Sequence, residues 1–514
     1  MHFKTAISAG VCLAGSTLAI DLDISDASSI NSAAKTVAAS IIDRYQNNGS
    51  KIPGLFGDPY YFWECGLAWD SLIHYWHQTG DDSYNGIVGE AIRWQLGDNN
   101  NFMPTNQTKS LGNDDQATWA LAAMSAAEYG FPSEALDGLD TTWTDLAKNV
   151  FDSQAARWDN ETCNGGLRWQ IFSFNNGYNY KNSMTNGNFY QLAGRLARFT
   201  GNETFAEWGQ RVFEWSFHNG LIADINSTAP GSVYDGMSVR DGCGDINHIQ
   251  WTANAGTYLA GGAYMYNHVS LISTHRLSYD KPLTVKQTPT AINSNHQTFV
   301  PRINDTFANA KYGYGNGTLV EIACQPNHNC NVDQLAFRAV LARALAQTRA
   351  LTDDPRVRRY TEPVNFTNPR NVSQADSVPA WSTHARIDFM LQQSAIGAAS
   401  QCSGGPDGTT CGSDWGYSMW DGSSGLGQDL SALNIFLANI PIGNLATVNN
   451  TAGEAGGSRG TLEHANDTIT DAGDLTDAAG DAASDAASAS GATRQVTMSS
   501  IALLAIVGSV MTLL

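Results

Sequence analysis

Basic residues are scarce in this chain. Its 514 residues hold 29 Lys and Arg against 49 Asp and Glu, a formal net charge of −20, and charged side chains make up only 15% of the total. Such a surface repels phosphate backbones and anionic headgroups, so nucleic acid is not an expected partner, nor is an anionic lipid surface held by charge alone. No Cys/His spacing matches a structural zinc site. No third and fourth oxygen ligands stand at a recognisable spacing from the Asp114-Asp115 pair discussed below, so neither a metal nor another cofactor is expected. The apolar runs Ala6–Leu18 and Ile501–Leu514 are short for a full bilayer span. A fixed-period repeat is missing too, which sets aside a regular solenoid.

The two short runs point to processing. Lys4, the first run and the small residues Ser16-Thr17-Leu18-Ala19 read as a secretory signal peptide over residues 1–19. At the other end the small-residue run Ala487–Ala492, a polar spacer and the terminal apolar tail form the pattern for a GPI anchor. Residues 491–514 are then removed; Ser488, Ser490 and Gly491 are all eligible for attachment, and Ser490 is taken. Between them, residues 446–490 carry Asp467, Asp471, Asp474, Asp477, Asp481 and Asp485 among Ala, Gly, Ser and Thr. That stretch cannot bury enough apolar area to offset its ordering entropy, and it reads as a disordered stalk. The expected location is the outer face of the plasma membrane and the cell wall.

Sequons fit the same route: Asn48, Asn106, Asn160, Asn202, Asn226, Asn304, Asn316, Asn365, Asn371, Asn449 and Asn466 each stand two residues before Ser or Thr. In an oxidising compartment Cys324/Cys330 and Cys402/Cys411 are close enough to bridge small loops, with Cys163/Cys243 as the remaining pair and Cys65 left as a buried thiol.

Residues 20–445 form the expected folded domain, helical almost throughout. Ile30, Ala33, Ala34, Val37, Ile41 and Tyr45 make one apolar stripe. Further helices are expected over Tyr60–Trp76, Tyr84–Leu96, the run from Trp119 to Tyr129 that Leu111–Gln116 leads into, Thr142–Phe151, Asn188–Phe199, Glu203–Phe217, Ala253–Ser273, Val332–Leu351 and Leu430–Leu437. The turns Thr79-Gly80-Asp81-Asp82 and Thr200-Gly201-Asn202-Glu203 resemble each other. Helix, short turn, helix, long aromatic loop, repeated, implies helical hairpins arranged in a ring with the loops on one face.

Aromatic residues reach 10%, with 14 Trp. Many fall in or beside the Gly/Asn-rich stretches Cys163–Gly187 and Tyr234–Trp251: Trp158 just before the first, Trp169, Phe172, Phe174, Tyr178 and Tyr180 within it, Phe189 just after it, then Tyr234 and Trp251. Rings among Asn, Gln, Asp and Arg suit sugars, whose C–H faces stack while their hydroxyls need paired donors and acceptors. Asp114 and Asp115 stand on a Gly-Asn approach to a helix N-terminus. From the residues alone the pair is a helix cap, a metal ligand pair or a catalytic dyad, and the cap is the ordinary reading. Glycoside hydrolysis needs one protonated and one ionised carboxyl, and adjacent acids that repel each other supply that difference.

The segment Leu111-Gly112-Asn113-Asp114-Asp115-Gln116, with Trp119 and Ala126-Ala127-Glu128, resembles the signature of glycoside hydrolase family 76, the endo-α-1,6-mannanases. Tyr75–Asp81, Asn101–Pro104, Gly165–Gln170, Asn186–Phe189, Cys402–Cys411 and Trp420–Gly422 fit its fungal, GPI-anchored branch in order, over roughly Ile30 to Leu437. The resemblance implies an all-α fold, an (α/α)6 barrel, and a retaining reaction. Asp114 is then the nucleophile and Asp115 the general acid/base, with carboxyls about 5–5.5 Å apart. Trp63, Trp119, Trp169, Asn186, Asn188, Asp235 and Trp251 are the candidate substrate contacts; Asp70 and Arg168 read as structural, in an ion pair. The implied substrate is mannan or the mannose glycan of GPI-linked proteins. The implied role is cell-wall biogenesis, by hydrolysis or by transfer of such glycans onto wall glucan. A catalytically silent mannan-binding or wall-structural protein is the reading of a different class, and the intact acid pair counts against it. Oligomeric state is not legible.

Overall fold

A computed structural model describes residues 19–224, 226–276, 299–308, 317–352, 383–443 and 445. The signal peptide up to residue 18, the stalk, the GPI region with Ser490, and the sequons at Asn316, Asn365, Asn371, Asn449 and Asn466 lie outside the described residues, as does the side chain of Asn48.

Eleven helices are defined among the described residues: α1 (Ala27–Asn48), α2 (Phe62–Thr79), α3 (Asn85–Trp94), α4 (Asn113–Tyr129), α5 (Trp143–Ala156), α6 (Ser183–Thr200), α7 (Glu203–His218), α8 (Thr252–Arg276), α9 (Val332–Leu351), α10 (Thr383–Gln401) and α11 (Leu426–Ala438). Residues 299–307 add a further helical stretch. The turns after α2 and α6 share one construction. Thr79 and Thr200 bond back to Tyr75 O and Leu196 O, at 2.7 and 2.6 Å, and Gly80 and Gly201 end the helices at φ 74° and 70°. Only glycine takes that left-handed geometry without steric penalty.

Six helices form a closed inner ring. α2 packs on α4, α4 on α6, α6 on α8, α8 on α9, α9 on α11, and α11 returns to α2. α1 packs outside α11 and α2, α3 outside α2, α5 outside α4 and α6, α7 outside α6 and α8, and α10 outside α9 and α11. This is the expected barrel of alternating inner and outer helices. The inner helices are buried nearly all round, which is why α4 and α8 show apolar and small residues on every face rather than one stripe. Two glycines set how closely the ring packs. A Cβ on Gly256 would lie 3.0 Å from Leu341 Cα, and one on Gly427 2.9 Å from the Leu335 carbonyl carbon, backbone that cannot move aside.

Several boundaries differ from expectation. α6 begins at Ser183, five residues early, because Asn182 caps it through Thr185 N–H at 3.2 Å. α11 starts at Leu426, and α10 was not expected at all. The aromatic stretches also hold a small antiparallel sheet, β1 (Tyr180–Asn182), β2 (Gly236–Ser238) and β3 (Ile246–Asn247), and β4 (Cys402–Gly404) pairs with β5 (Thr410–Cys411). Cys163–Cys243, Cys324–Cys330 and Cys402–Cys411 are bridged as expected, and Cys65 is a free buried thiol pushed up to about 12 by burial. Asn106, Asn160, Asn202 and Asn226 are exposed and Asn304 partly so.

Candidate active site

The N-terminal ends of the inner helices converge on one face. There the loop segment Trp169–Ile171 holds the start of α4: Asn113 N–H donates to Trp169 O at 2.8 Å, and Ile171 N–H to Leu111 O at 3.2 Å. The Asn113 side chain is fixed as well, donating to Arg168 O at 2.8 Å and accepting from Arg157 Nε at 2.9 Å. The direction in which α4 leaves the loop is therefore set before its first turn.

That first turn carries both acids. Asp115 reaches back to accept Gly112 N–H at 2.7 Å on Oδ2, and accepts Trp63 N–H, the first turn of α2, at 3.1 Å on Oδ1. Asp114 Oδ1 accepts Asp115 N–H at 3.0 Å, and Asn182 Nδ2 approaches its Oδ2 at 3.4 Å. The cap and dyad readings are thus compatible: the N-cap is Gly112, and Asp115 does capping work from the third helical position. Gly112 has to remain bare, because a Cβ there would collide with Asp114 Oδ1 and sit 2.9 Å from Asp115 Oδ2.

Burial separates the two acids. It pushes Asp114 up to about 6, against the pull of its hydrogen bonds. Asp115 is only 9% exposed, and burial followed by repulsion from Asp114 drives it well above the carboxylate range. The stronger upward push falls on Asp115, so of the two it is the one that holds a proton more tightly. No ion pair reaches either carboxyl among the described residues, so backbone amides and helix N-termini do what a cation would do elsewhere.

Two further acids face the same region, and the sequence reading missed both. Burial raises Glu64, in the first turn of α2, to about 8, and its Oε2 accepts Tyr61 N–H at 2.9 Å. Asp333, in the first turn of α9, accepts the Trp63 indole N–H at 2.6 Å, and burial raises it too. The signal available for both was an acid at an inner-helix start, the same signal that singled out Asp114 and Asp115. Among the described residues no three His, Cys, Asp or Glu side chains converge closely enough to hold a metal ion.

The other candidates divide. Trp63 stands between Asp115 and Asp333, and its ring meets Phe337 at 5.8 Å between centroids; Trp251 meets the same Phe337 at 5.6 Å. Asn188 Nδ2 lies 3.4 Å from Asp114 O and from Thr118 Oγ1, beneath the dyad. Trp169 is on the loop bonded to the first turn of α4 and is 37% exposed, and Phe174 on the same loop is 69% exposed and stacked on Phe172.

Two expected contacts are corrected. Trp119 is fully buried between Phe62 and Phe102 with its indole N–H on Phe62 O at 3.0 Å, so it is wall rather than binding surface. Asn186, equally buried, spends its amide on Leu167 N–H and O and on Asn182 O. Asp235 accepts from Tyr180 Oη at 2.7 Å and from Asn247 and Asn254, which ties the sheet to α8 and leaves little for a sugar. Phe189 and Trp158 are likewise packed into the core rather than the rim. Asp70 and Arg168 do not pair with each other: Asp70 bonds Arg343, and Arg168 meets Asp159 at 2.8 Å.

A narrow cavity runs down the ring axis beneath the dyad, lined by Trp63, Thr118, Asn188, Gln191, Arg343 and Gln347 among others. The profile described as glycosyl hydrolase family 76 matches residues 29–363 and 372–449. The chain belongs to that family. Among its family 76 relatives, the mannan endo-1,6-alpha-mannosidase DCW1 of Saccharomyces cerevisiae is 38% identical over 422 residues, covering 82% of this chain and 81% of the relative. The crystal structure of Dfg5 from Chaetomium thermophilum in complex with glucosamine is 32% identical with a TM-score of 0.67, covering 83% of this chain and 94% of that one. An inactive variant of the α-1,6-mannanase GH76A of Salegentibacter sp., in complex with α-1,6-mannotriose, has a TM-score of 0.56 over 80% of this chain and 99% of its own; at 15% identity it shares the fold.

Proposed function

We propose that this family 76 chain is a retaining endo-α-1,6-mannosidase of the cell wall, held outside the plasma membrane by a GPI lipid. The observation that carries the reading is the adjacent pair at the mouth of the ring whose two carboxyls differ in proton affinity. Ionised Asp114 attacks the anomeric carbon while protonated Asp115 gives its proton to the leaving glycosidic oxygen, and a glycosyl ester on Asp114 results. Asp115, now ionised, takes a proton from an incoming hydroxyl whose oxygen displaces Asp114 from the same carbon. Two inversions return the starting configuration. If water is the incoming group the result is hydrolysis; if it is a sugar hydroxyl the result is transfer.

The exposed rings of Trp169 and Phe174 favour keeping transfer as a second reading. They lie on the loop bonded to the catalytic turn and offer stacking faces to a glycan, whether a departing mannan strand or a wall-glucan acceptor. The test is to incubate the chain with α-1,6-mannooligosaccharides, with and without glucan oligomers, following products by NMR and mass spectrometry. Shortened oligomers released as the α-anomer are expected, and hybrid products appear if transfer operates. Release of the β-anomer sinks the retaining assignment. No turnover of any α-1,6-mannoside sinks the substrate assignment.

A further inference from the structure

In the inner ring α9 is the third neighbour of α4 in both directions, so the two helices face each other across the axis. Asp114 and Asp115 open α4, and Asp333 opens α9. An acid in a first turn ordinarily needs no explanation beyond the helix dipole and capping. Here capping is already complete without it. Asn331 Oδ1 accepts Gln334 N–H at 3.0 Å, and Gln334 Oε1 accepts Asn331 N–H at 2.9 Å.

Asp333 instead points its Oδ1 at the Trp63 indole N–H, 2.6 Å away, and its Oδ2 has no hydrogen bond among the described residues. The rings of Trp63, Phe337 and Trp251 stand next to it as a wall, with Phe337 one turn farther along α9. Trp63 also ties the two sides of the ring together, since its backbone N–H holds Asp115 while its indole holds Asp333. The result is a carboxyl with one occupied and one open oxygen, beside aromatic faces, on the helix that faces the dyad across the ring. Carboxylate plus ring face is how proteins grip a pyranose: the anion accepts a hydroxyl proton and the ring covers C–H surface.

We propose that Asp333 is a substrate-binding residue whose open oxygen accepts one hydroxyl of the mannose ring lying between the dyad and the Trp63–Phe337–Trp251 wall. This rests on the mannosidase reading given above. Negative charge there has a second effect, since it opposes ionisation of Asp114 and Asp115 alike and helps Asp115 keep its proton.

The experiment uses the full-length chain carrying D114N and D115N, so that ligand binds without turning over. α-1,6-Mannotriose is titrated calorimetrically into this protein and into the same protein with D333A or D333N added, and each melting curve is recorded. Loss of a hydrogen bond to a charged group predicts roughly ten- to a hundredfold weaker binding for D333A, with D333N intermediate and folding retained. A panel of singly deoxygenated mannotrioses adds a readout that a merely structural role would not move. One deoxy position should weaken binding when Asp333 is present and make no difference in D333A. Unchanged affinity in D333A, or a panel response the same with and without Asp333, overturns the assignment of Asp333 alone. If the protein with Asp333 intact does not bind mannotriose, the mannose reading itself is overturned. If D333A does not fold, D333N, which keeps the shape and an acceptor for Trp63, decides by the same panel.

Discussion

Two levels of the same ring bury carboxylates, and they treat them in opposite ways. At the far end of α4, Glu128 meets Arg195 on α6: Arg195 Nη2 donates to Oε2 at 2.8 Å and Nε to Oε1 at 3.2 Å, with Tyr264 Oη at 3.2 Å completing the set. Burial works against the Arg195 charge, and Glu128 together with Tyr264 and Asp70 more than reverses that, so the guanidinium stays charged in the core. Asp70 on α2 is held similarly by Arg343 on α9. At the mouth, about four turns of α4 away from Glu128, Asp114, Asp115 and Asp333 have no cationic partner among the described residues and are answered by amides and an indole. The paired level gives register between inner helices. The unpaired level leaves the repulsion between Asp114 and Asp115 unanswered by a cation, which raises the proton affinity of Asp115 and suits it to acid catalysis at a cost in stability.

Changes at each level should separate along that line. The largest effect is at the mouth: D114N should lower turnover of α-1,6-mannosides by at least about 10⁴-fold, because the nucleophile is gone, while its melting temperature holds at or above that of the parent. A variant that keeps a tenth of the activity would break the dyad assignment. Next comes the paired level. Arg195→Ala strands Glu128 without its partner and should destabilise by about 3–5 kcal/mol in urea titration; a loss below about 1 kcal/mol would mean the pair contributes no register. The smallest of the three is the pH dependence of stability. Glu64 is raised in the folded state from 4.5 to about 8, so the folded chain binds its proton more tightly than the unfolded one does. Its contribution is therefore fully present below about pH 4.5 and is lost as pH rises through about 8. Against E64Q, which cannot ionise, the parent should fall behind by on the order of 2–4 kcal/mol between pH 4.5 and 8.5. Parallel melting-temperature curves for the two proteins across that range would show that Glu64 does not titrate there.

The same contrast marks how far the sequence could be read. Asp114 and Asp115 are adjacent, follow a glycine and open an apolar helix, so local pattern and family resemblance both reach them. Cys324/Cys330 and Cys402/Cys411 are legible for the same reason, their partners lying few residues apart. Asp333 is joined to Trp63 across 270 positions, and nothing local distinguishes it from any acid in a capped first turn. The error over Trp119 and Asn186 has a related cause. On a helix buried all round, a residue facing the axis and one facing a neighbouring helix carry the same composition, and only the ring geometry tells them apart. Asp70 and Arg343 repeat the lesson, since the true partner of Asp70 came from the far half of the chain.

Ring closure has one more consequence. α11 fills the last inner position, and its Asp429 takes Arg44 of α1 at 2.9 Å, while Ile20 N–H donates to Cys402 O at 3.1 Å. α1 and one side of α2 thus meet their last neighbour only after the end of the domain has been made. Until then α1 and α2 present an incomplete apolar seam, and the contacts that seal it span almost the whole domain. Such long-range closure makes for slow folding with a prolonged exposure of apolar surface. Sealing of this barrel therefore waits for synthesis of the whole domain.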